Sequence, residues 1–500
     1  MNGTPFPRAG YLHLVLTLDF NLEKMKVLTY LLSIPLLFAA ASCSEDFLVA
    51  EPELDISDLV IFETPERAEA AISGLYAGAK HGRLFGGRYM IYNDIKAEEF
   101  LNRTTNVVTG YSTYQFTNDA SDTYIADFWN HGYLTINKAN IAIAGLEANT
   151  AGLDNALASA FIGEAKFVRA LCYFGLVQIF AKPYLLDNGQ SRGLPLRLQP
   201  ETGLANNELA PSSVDQIYTQ ILADLDAAIG SLPEDYGDAE KNVTRAHVNA
   251  AVALKMRVLL AKGDYAGVIT EGNKLVPDAA PYAAPSGIAH ELEENIVSVF
   301  TAPYHSAESI FSFPMANTNS PGTQNQIGYY FNIGNGNLEY TINPSAPGIY
   351  AHSQWGADDR RRTQLTGTED RGVYLTKFSG VSPFLDYVPV IRYADVLLML
   401  AEAEAEAGDQ ARARALLEAV HHRSDPEYNF GAMNRQQLVD AILVERRIEL
   451  LGEGFRANDV ARRVLPLNSV GAGALIQPTE DRYVFPIPIT ERQANPAMNE

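Results

Sequence analysis

"MLAEAEAEAGDQARARALLEAVHHR", residues 399–423, runs one helical pattern rich in small residues into Gly408-Asp409 and straight on into a second helical pattern. Alanine at alternate positions removes side-chain bulk, so two helices can approach closely. Glycine can end the first helix in the left-handed conformation, and aspartate can cap the next. "LKMRVLLAKGDYAGVITEGNKLV", residues 254–276, repeats the arrangement at Gly263-Asp264. Both stretches therefore predict helical hairpins of tetratricopeptide type. Positions 263 and 408 lie 145 residues apart, so a long insertion interrupts any array of such hairpins.

Helical signals continue on both sides of the hairpins. Thr64-Pro65-Glu66 supplies an N-cap, a proline at the first helical position and an acid in the first turn. After it, Ala68, Ala71, Ile72, Leu75, Tyr76 and Ala79 recur at helical spacing. Residues 125–147 carry a stripe of Trp129, Tyr133, Ile136, Ala139, Asn140 and Ile143, which places Trp129 in a core rather than on a ligand platform. Residues 155–180 carry another, through Phe161, Ala165, Val168, Cys172 and Leu176. Ser213 and Gln216 form a capping-box pair ahead of Ile217, Ile221, Leu225 and Ile229. Further helices are expected over 247–262, 264–275, 394–407, 410–422 and 436–463. Strand-like stretches are few and short, as in "SIFSFPM" (309–315) and "RYVFPIPI" (482–489). The fold class is mainly α: tetratricopeptide-like hairpins in a scaffold of about 60–276 and 390–465, supporting an irregular insertion with a few short strands.

The insertion spans about 277–389. Helical periodicity lapses there, while Pro, Gly, Asn, Ser and aromatic residues accumulate, most densely over 317–356. A second polar, aromatic stretch, "NRTTNVVTGYSTYQFTND", covers 102–119. Long loops in a compact protein are usually functional or disordered, and high aromatic content argues for function. A site for sugars needs flat rings to meet apolar C–H faces, with amides, acids or arginine to satisfy hydroxyls. The first stretch offers Asn102, Arg103, Tyr111 and Tyr114. The second offers Tyr329, Tyr330, Tyr340 and Trp355, with Asn335 and Asn337 nearby. Trp355, one of two tryptophans, is the leading candidate; the alternative is a ring that anchors its own loop.

The amino terminus reads as an export signal. After Met25 and Lys26 comes an apolar run over 27–41, then small residues before Cys43. That run is too short to cross a bilayer as a helix. Residues 1–42 are thus expected to be removed, and the atypical leader over 1–24 suggests that translation begins at Met25. Cys43 directly after the cleavage region resembles a bacterial lipobox, whose thiol is acylated; the alternative is a signal cut elsewhere, with Cys43 incidental. Two or three acyl chains would hold the protein on a membrane with no spanning helix. Cys172 then has no partner and reads as a small buried hydrophobe.

A formal net charge of −22 repels phosphate backbones, and no Lys/Arg cluster offsets it locally, so nucleic acid is excluded as a partner. No metal-ligand, phosphate-loop or hydrolase motif is present, and no cofactor or metal is implied. Sixty acidic residues make some close carboxylate pair inevitable, so their number is no evidence for glycoside hydrolysis.

Several motifs in order carry a resemblance. They are Cys43, "GLYAG" (74–78), "FWNHGYLTINKANIAI" (128–143), "EAKFVRALCYFGLVQIF" (164–180), "RYADVLLMLAEAEAEAG" (392–408), "ERRIELLGEGFRANDVARR" (445–463) and "FPIPITERQANP" (485–496). In this order they resemble the SusD/RagB outer-membrane lipoproteins over nearly all of residues 43–500, here expected to form a single domain. Ser44, Glu45 and Asp46 resemble the tag that sends such lipoproteins to the outer face of the outer membrane. The end, "NPAMNE", departs from the family's usual tail. The resemblance implies a non-enzymatic, surface-exposed lipoprotein that binds oligosaccharide or polysaccharide and delivers it to a SusC-like TonB-dependent transporter. Peptide capture for a RagAB-like importer is the alternative, and an α/α-barrel glycoside hydrolase is a more distant one. Within 445–463, Glu453 to Arg456 and Asp459 to Arg462 or Arg463 have the spacing of helix-surface ion pairs, worth tenths of a kcal/mol each when exposed. That motif therefore reads as scaffold.

Overall fold

The computed structural model describes residues 61–62, 64–148, 152–203, 207–334 and 338–499. Cys43, Asn335 and Asn337 lie outside the described residues. Helices dominate, as the sequence periodicity requires: α1 (Pro65–Ala79), α2 (Thr123–Ala148), α3 (Asn155–Phe180), α4 (Val214–Ile229), α5 (Val248–Lys262), α6 (Tyr265–Gly272), α7 (Tyr393–Ala407), α8 (Gln410–His422), α9 (Arg435–Glu449) and α10 (Arg456–Arg462), with shorter helical turns between them. None of the described helices is long and apolar enough to cross a membrane.

The N-terminal signals act as expected. The Thr64 hydroxyl accepts from the Arg67 N–H at 3.3 Å, and α1 buries Ala68, Ile72, Leu75, Tyr76 and Ala79. At α4 the capping box closes in both directions, Gln216 N–H to Ser213 Oγ at 3.2 Å and Ser213 N–H to Gln216 Oε1 at 2.9 Å. Helix α3 packs between α2 and α4 and is buried on nearly all sides from Phe161 onward. Cys172 on α3 is a free, fully buried thiol whose pKa burial pushes up, so it packs as a hydrophobe.

Both hairpins form, but they end their first helices differently. Gly263 takes the left-handed conformation (φ +71°), and Asp264 caps α6 through the Gly267 N–H at 2.9 Å. Gly408 instead has φ −127°. There the Glu404 carboxylate folds over the helix end and accepts the Asp409 N–H at 2.7 Å; a Cβ on Gly408 would stand 2.0 Å from Glu404 Oε2. The glycine is needed for that close approach rather than for a left-handed turn.

The helix expected over 436–463 is broken between α9 and α10. Gly452 (φ +83°) and Gly454 (φ +80°) turn the chain, and a Cβ on Gly454 would meet Met90 Cα at 2.5 Å. "RYVFPIPI" likewise forms no strand among the described elements: Asp481–Tyr483 is a 3-10 turn and Ile489–Ala494 a helix, with Pro486 and Pro488 lacking ladder donors between them.

Most of the acidic and basic residues of 445–463 are buried, and Arg447, Arg456 and Arg463 are half-buried, so the motif is no exposed helix surface. Glu453 does not pair with Arg456 as its spacing suggested. It binds Arg392 and Lys377, each at 2.7 Å, while Arg456 reaches Glu98 at 2.5 Å. Asp459 does meet Arg462 at 2.8 Å, and Arg463 goes to Glu402. At the centre, Glu449 receives Arg361 (3.0 Å), Arg392 (2.9 Å) and Arg423 (2.6 Å), and Glu445 receives Arg361 and His421. Glu308, Arg361 and Lys377 come from the insertion, so this network joins the insertion to α8 and α9.

Candidate functional site

The insertion is shaped by short strands: β1 (Phe100–Asn102), β2 (Ser309–Phe313), β3 (Tyr340–Ile342), β4 (Thr366–Glu369), β5 (Gly372–Leu375) and β6 (Val388–Arg392). Four of them form an antiparallel sheet in the order β1-β3-β5-β4, with Leu101 opposite Thr341 and Asn102 opposite Tyr340. This pairing brings the two aromatic stretches, far apart in sequence, onto one structure.

Their rings form a continuous series. Tyr111 stacks on Tyr114 at 6.4 Å, Tyr114 meets Tyr340 edge-on at 5.8 Å, Tyr340 stacks on Tyr330 at 6.1 Å, and Tyr330 meets Tyr329 at 6.2 Å. Phe384, itself buried, packs against Tyr329 at 6.1 Å. The middle of the series is core: Tyr330 and Tyr340 are fully buried and Tyr114 is 8% exposed. Their hydroxyls are tied to the chain, Tyr340 to the Thr109 carbonyl at 3.0 Å and Tyr330 to the Gln324 carbonyl at 2.9 Å. Desolvation raises the pKa of all three phenols, so they stay neutral. The ends, Tyr111 and Tyr329, are partly exposed and held by Gln115 (2.8 Å) and Gln324 (3.3 Å).

Arg103 is exposed beside this series, its Nε donating to Thr341 Oγ1 at 2.8 Å. Asn102 shapes the loop: its Oδ1 accepts the N–H groups of Thr104 (3.2 Å) and Thr105 (2.7 Å), and Thr105 is held at φ +52°. Such backbone strain persists only where neighbours fix it, and it gathers at ligand-facing loops. Buried Glu339 supplies that fixing, accepting from Thr109 Oγ1 at 2.7 Å and from Thr104.

Trp355 stands apart from the tyrosines. It is 3% exposed, meets Tyr350 edge-on at 5.4 Å, and lies under the Arg362 guanidinium, 5.0 Å from the ring. It anchors its own loop and turns no face to solvent. Trp129 is 2% exposed and sits in the core as its helical stripe indicated. The structure also adds residues that the sequence did not single out. Val107 and Val381, 57% and 66% exposed, occur in the loops that carry Tyr111 and Phe384. Tyr304 stacks on Tyr387 at 4.8 Å, with Tyr304 at φ +65°. A lone tyrosine in a loop has no period to mark it, so only the folded contact reveals this pair.

A helical scaffold thus carries a small inserted sheet beside which the two aromatic stretches converge, with Arg103 exposed and Tyr111 and Tyr329 partly so. A family described as SusD-like, "Starch-binding associating with outer membrane", matches residues 46–260, and the SusD family matches 367–500. A solved SusD superfamily protein from Bacteroides fragilis is 35% identical, with a TM-score of 0.79 over 88% of this chain and 100% of that one. The chain belongs to the SusD family. A SusD-like protein of Formosa agariphila is 24% identical over 95% of this chain and 98% of its own length. The fold is shared by surface glycan-binding protein A of Bacteroides thetaiotaomicron in complex with laminarihexaose, 16% identical with a TM-score of 0.68 over 86% of this chain and 97% of that one.

Proposed function

We propose that this protein captures an oligosaccharide or polysaccharide on the face that runs from Tyr111 to Tyr329 and passes it to a SusC-like TonB-dependent transporter. The observation that carries this reading is the convergence of residues 102–119 and 317–356 into one ring series with partly exposed ends and Arg103 beside it. Tyr111 and Tyr329 supply ring faces for sugar C–H groups, and Arg103 donates to hydroxyls. Asn102 and the buried Tyr114, Tyr330 and Tyr340 position those contacts. An acyl chain on Cys43 would anchor the protein at the outer membrane, facing the cell exterior. The role is binding and delivery, without catalysis.

The laminarihexaose-bound neighbour makes β-glucans the first ligands to try. Titration calorimetry of the purified protein against laminarin, starch, xylan and a peptide digest tests the reading. A saccharide response is expected; tight peptide binding with no saccharide response would overturn it. Intact mass of the membrane-extracted protein should show acylation at Cys43, and co-purification should recover a TonB-dependent barrel.

A further inference from the structure

A cleft of about 490 Å³ opens between α2, the strap 195–203 and the segment 491–495. It shares no lining residue with the tyrosine series. Its volume falls within the roughly 300–1,000 Å³ typical of small-molecule sites.

Its walls are fixed by bonds within the chain. The Tyr133 hydroxyl donates to the Pro195 carbonyl at 2.9 Å. The Asn137 amide both donates to the Glu201 carbonyl and accepts the Glu201 N–H, each at 2.8 Å. Asn140 holds the Arg197 and Gln199 carbonyls at 3.0 and 3.1 Å. On the far side, Glu491 accepts from the Trp129 indole at 3.1 Å and from the Asn495 amide at 3.0 Å. A wall ordered in advance costs a ligand little conformational entropy to engage.

The chemistry left unspent selects the ligand. Arg197 is met by Glu201 at 2.6 Å and by Glu491 at 3.7 Å, so its charge is already balanced and an anion finds no free cation. The side-chain amides of Asn130 and Asn207 line the cleft and form no hydrogen bond with other described residues, leaving donors and acceptors for hydroxyls. Leu134, 52% exposed, and the partly exposed Tyr133 ring supply apolar surface beside them. Neutral, hydroxyl-rich molecules with apolar C–H faces fit that combination.

We propose that this cleft is a second saccharide-binding site, separate from the tyrosine face. It rests on the reading that the protein binds glycans, and the test separates the two. Oligosaccharides of laminarin, starch and xylan are titrated into wild type, into Tyr111→Ala/Tyr329→Ala, and into two variants that fill the cleft from different walls, Asn130→Trp and Ala494→Trp. Both replaced side chains are exposed, and thermal melts confirm folding. The expected result is two binding events in wild type, with the second retained in the tyrosine double variant and lost in both filled variants. A single event abolished by the tyrosine substitutions would overturn the cleft and leave the glycan reading standing. No response to any saccharide would overturn both.

Discussion

The charge network around Glu449 and the tyrosine face around Tyr329 both involve the insertion, yet they place their chemistry in opposite ways. In the network, charged side chains that would ordinarily seek water are sealed inside: Arg361 and Arg392 are 1% exposed, and Glu445 and Glu449 fully buried. In the tyrosine face, rings that would ordinarily be sealed inside emerge at both ends of the series. On the proposed reading, the difference separates holding from binding. Desolvated charges tolerate only partnered geometry, so they register the insertion on α8 and α9. Partly exposed rings lose little by meeting a ligand instead of water.

Substitutions that interrupt this contrast should have graded effects. Glu449→Ala removes the carboxylate shared by Arg361, Arg392 and Arg423, leaving them Glu445, Glu453 and Glu308, and removing one partner of a buried ion pair costs about 3–5 kcal/mol. Urea denaturation should show that loss; a change under about 1 kcal/mol would mean the network is solvated. Trp355→Ala empties a buried site, a change that also costs about 3–5 kcal/mol. Its saccharide affinity, measured where the variant is folded, should match wild type, whereas a large affinity loss would return Trp355 to the binding face.

The acid limb sharpens the network side of the comparison. The charges of Arg361 and His421, outweighing the opposing desolvation, hold the Glu445 carboxyl down at about 2. A depressed carboxylate pKa stabilises the fold above the unfolded value near 4.5, and that contribution is lost as pH falls toward 2. The destabilisation caused by Glu445→Gln should therefore be full above pH 5 and shrink by about 3 kcal/mol on descending to pH 2, since each pKa unit is worth about 1.4 kcal/mol. A pH-independent penalty, from denaturation series at several pH values, would contradict this.

Smaller effects belong to the face. Tyr111→Ala and Tyr329→Ala should each weaken saccharide binding about tenfold, equivalent to about 1.4 kcal/mol, and calorimetry reads this directly. Their melting temperatures should fall less than that of Trp355→Ala, because both rings are partly exposed.

The helices could be read from the sequence because their causes are local. Asn155–Phe180 and the capping box at Ser213 are set by residues three or four positions apart, and the structure reproduces both. The hairpin at Gly263 follows for the same reason. Where local spacing misled, a distant partner outbid the near one: Glu453 turns to Arg392 and Lys377, Arg456 to Glu98, and Gly454 makes room for Met90. Of the candidate binding residues, the sequence could name the aromatic stretches. It could not say which rings emerge, since that depends on the pairing of Asn102 with Tyr340 and on the packing of Trp355 beneath Arg362.

By itself, then, the sequence determined a mainly helical frame, an aromatic insertion and membership in an ordered-motif family, because periodicity, capping and composition act over a few neighbouring residues. Tertiary structure alone decided that most of the acidic and basic residues of 445–463 are buried and that Tyr111 and Tyr329, rather than Trp355, meet solvent. Burial and ring exposure are set largely by contacts between residues tens to hundreds of positions apart, such as Glu449 with Arg361 and Asn102 with Tyr340, which no local pattern encodes.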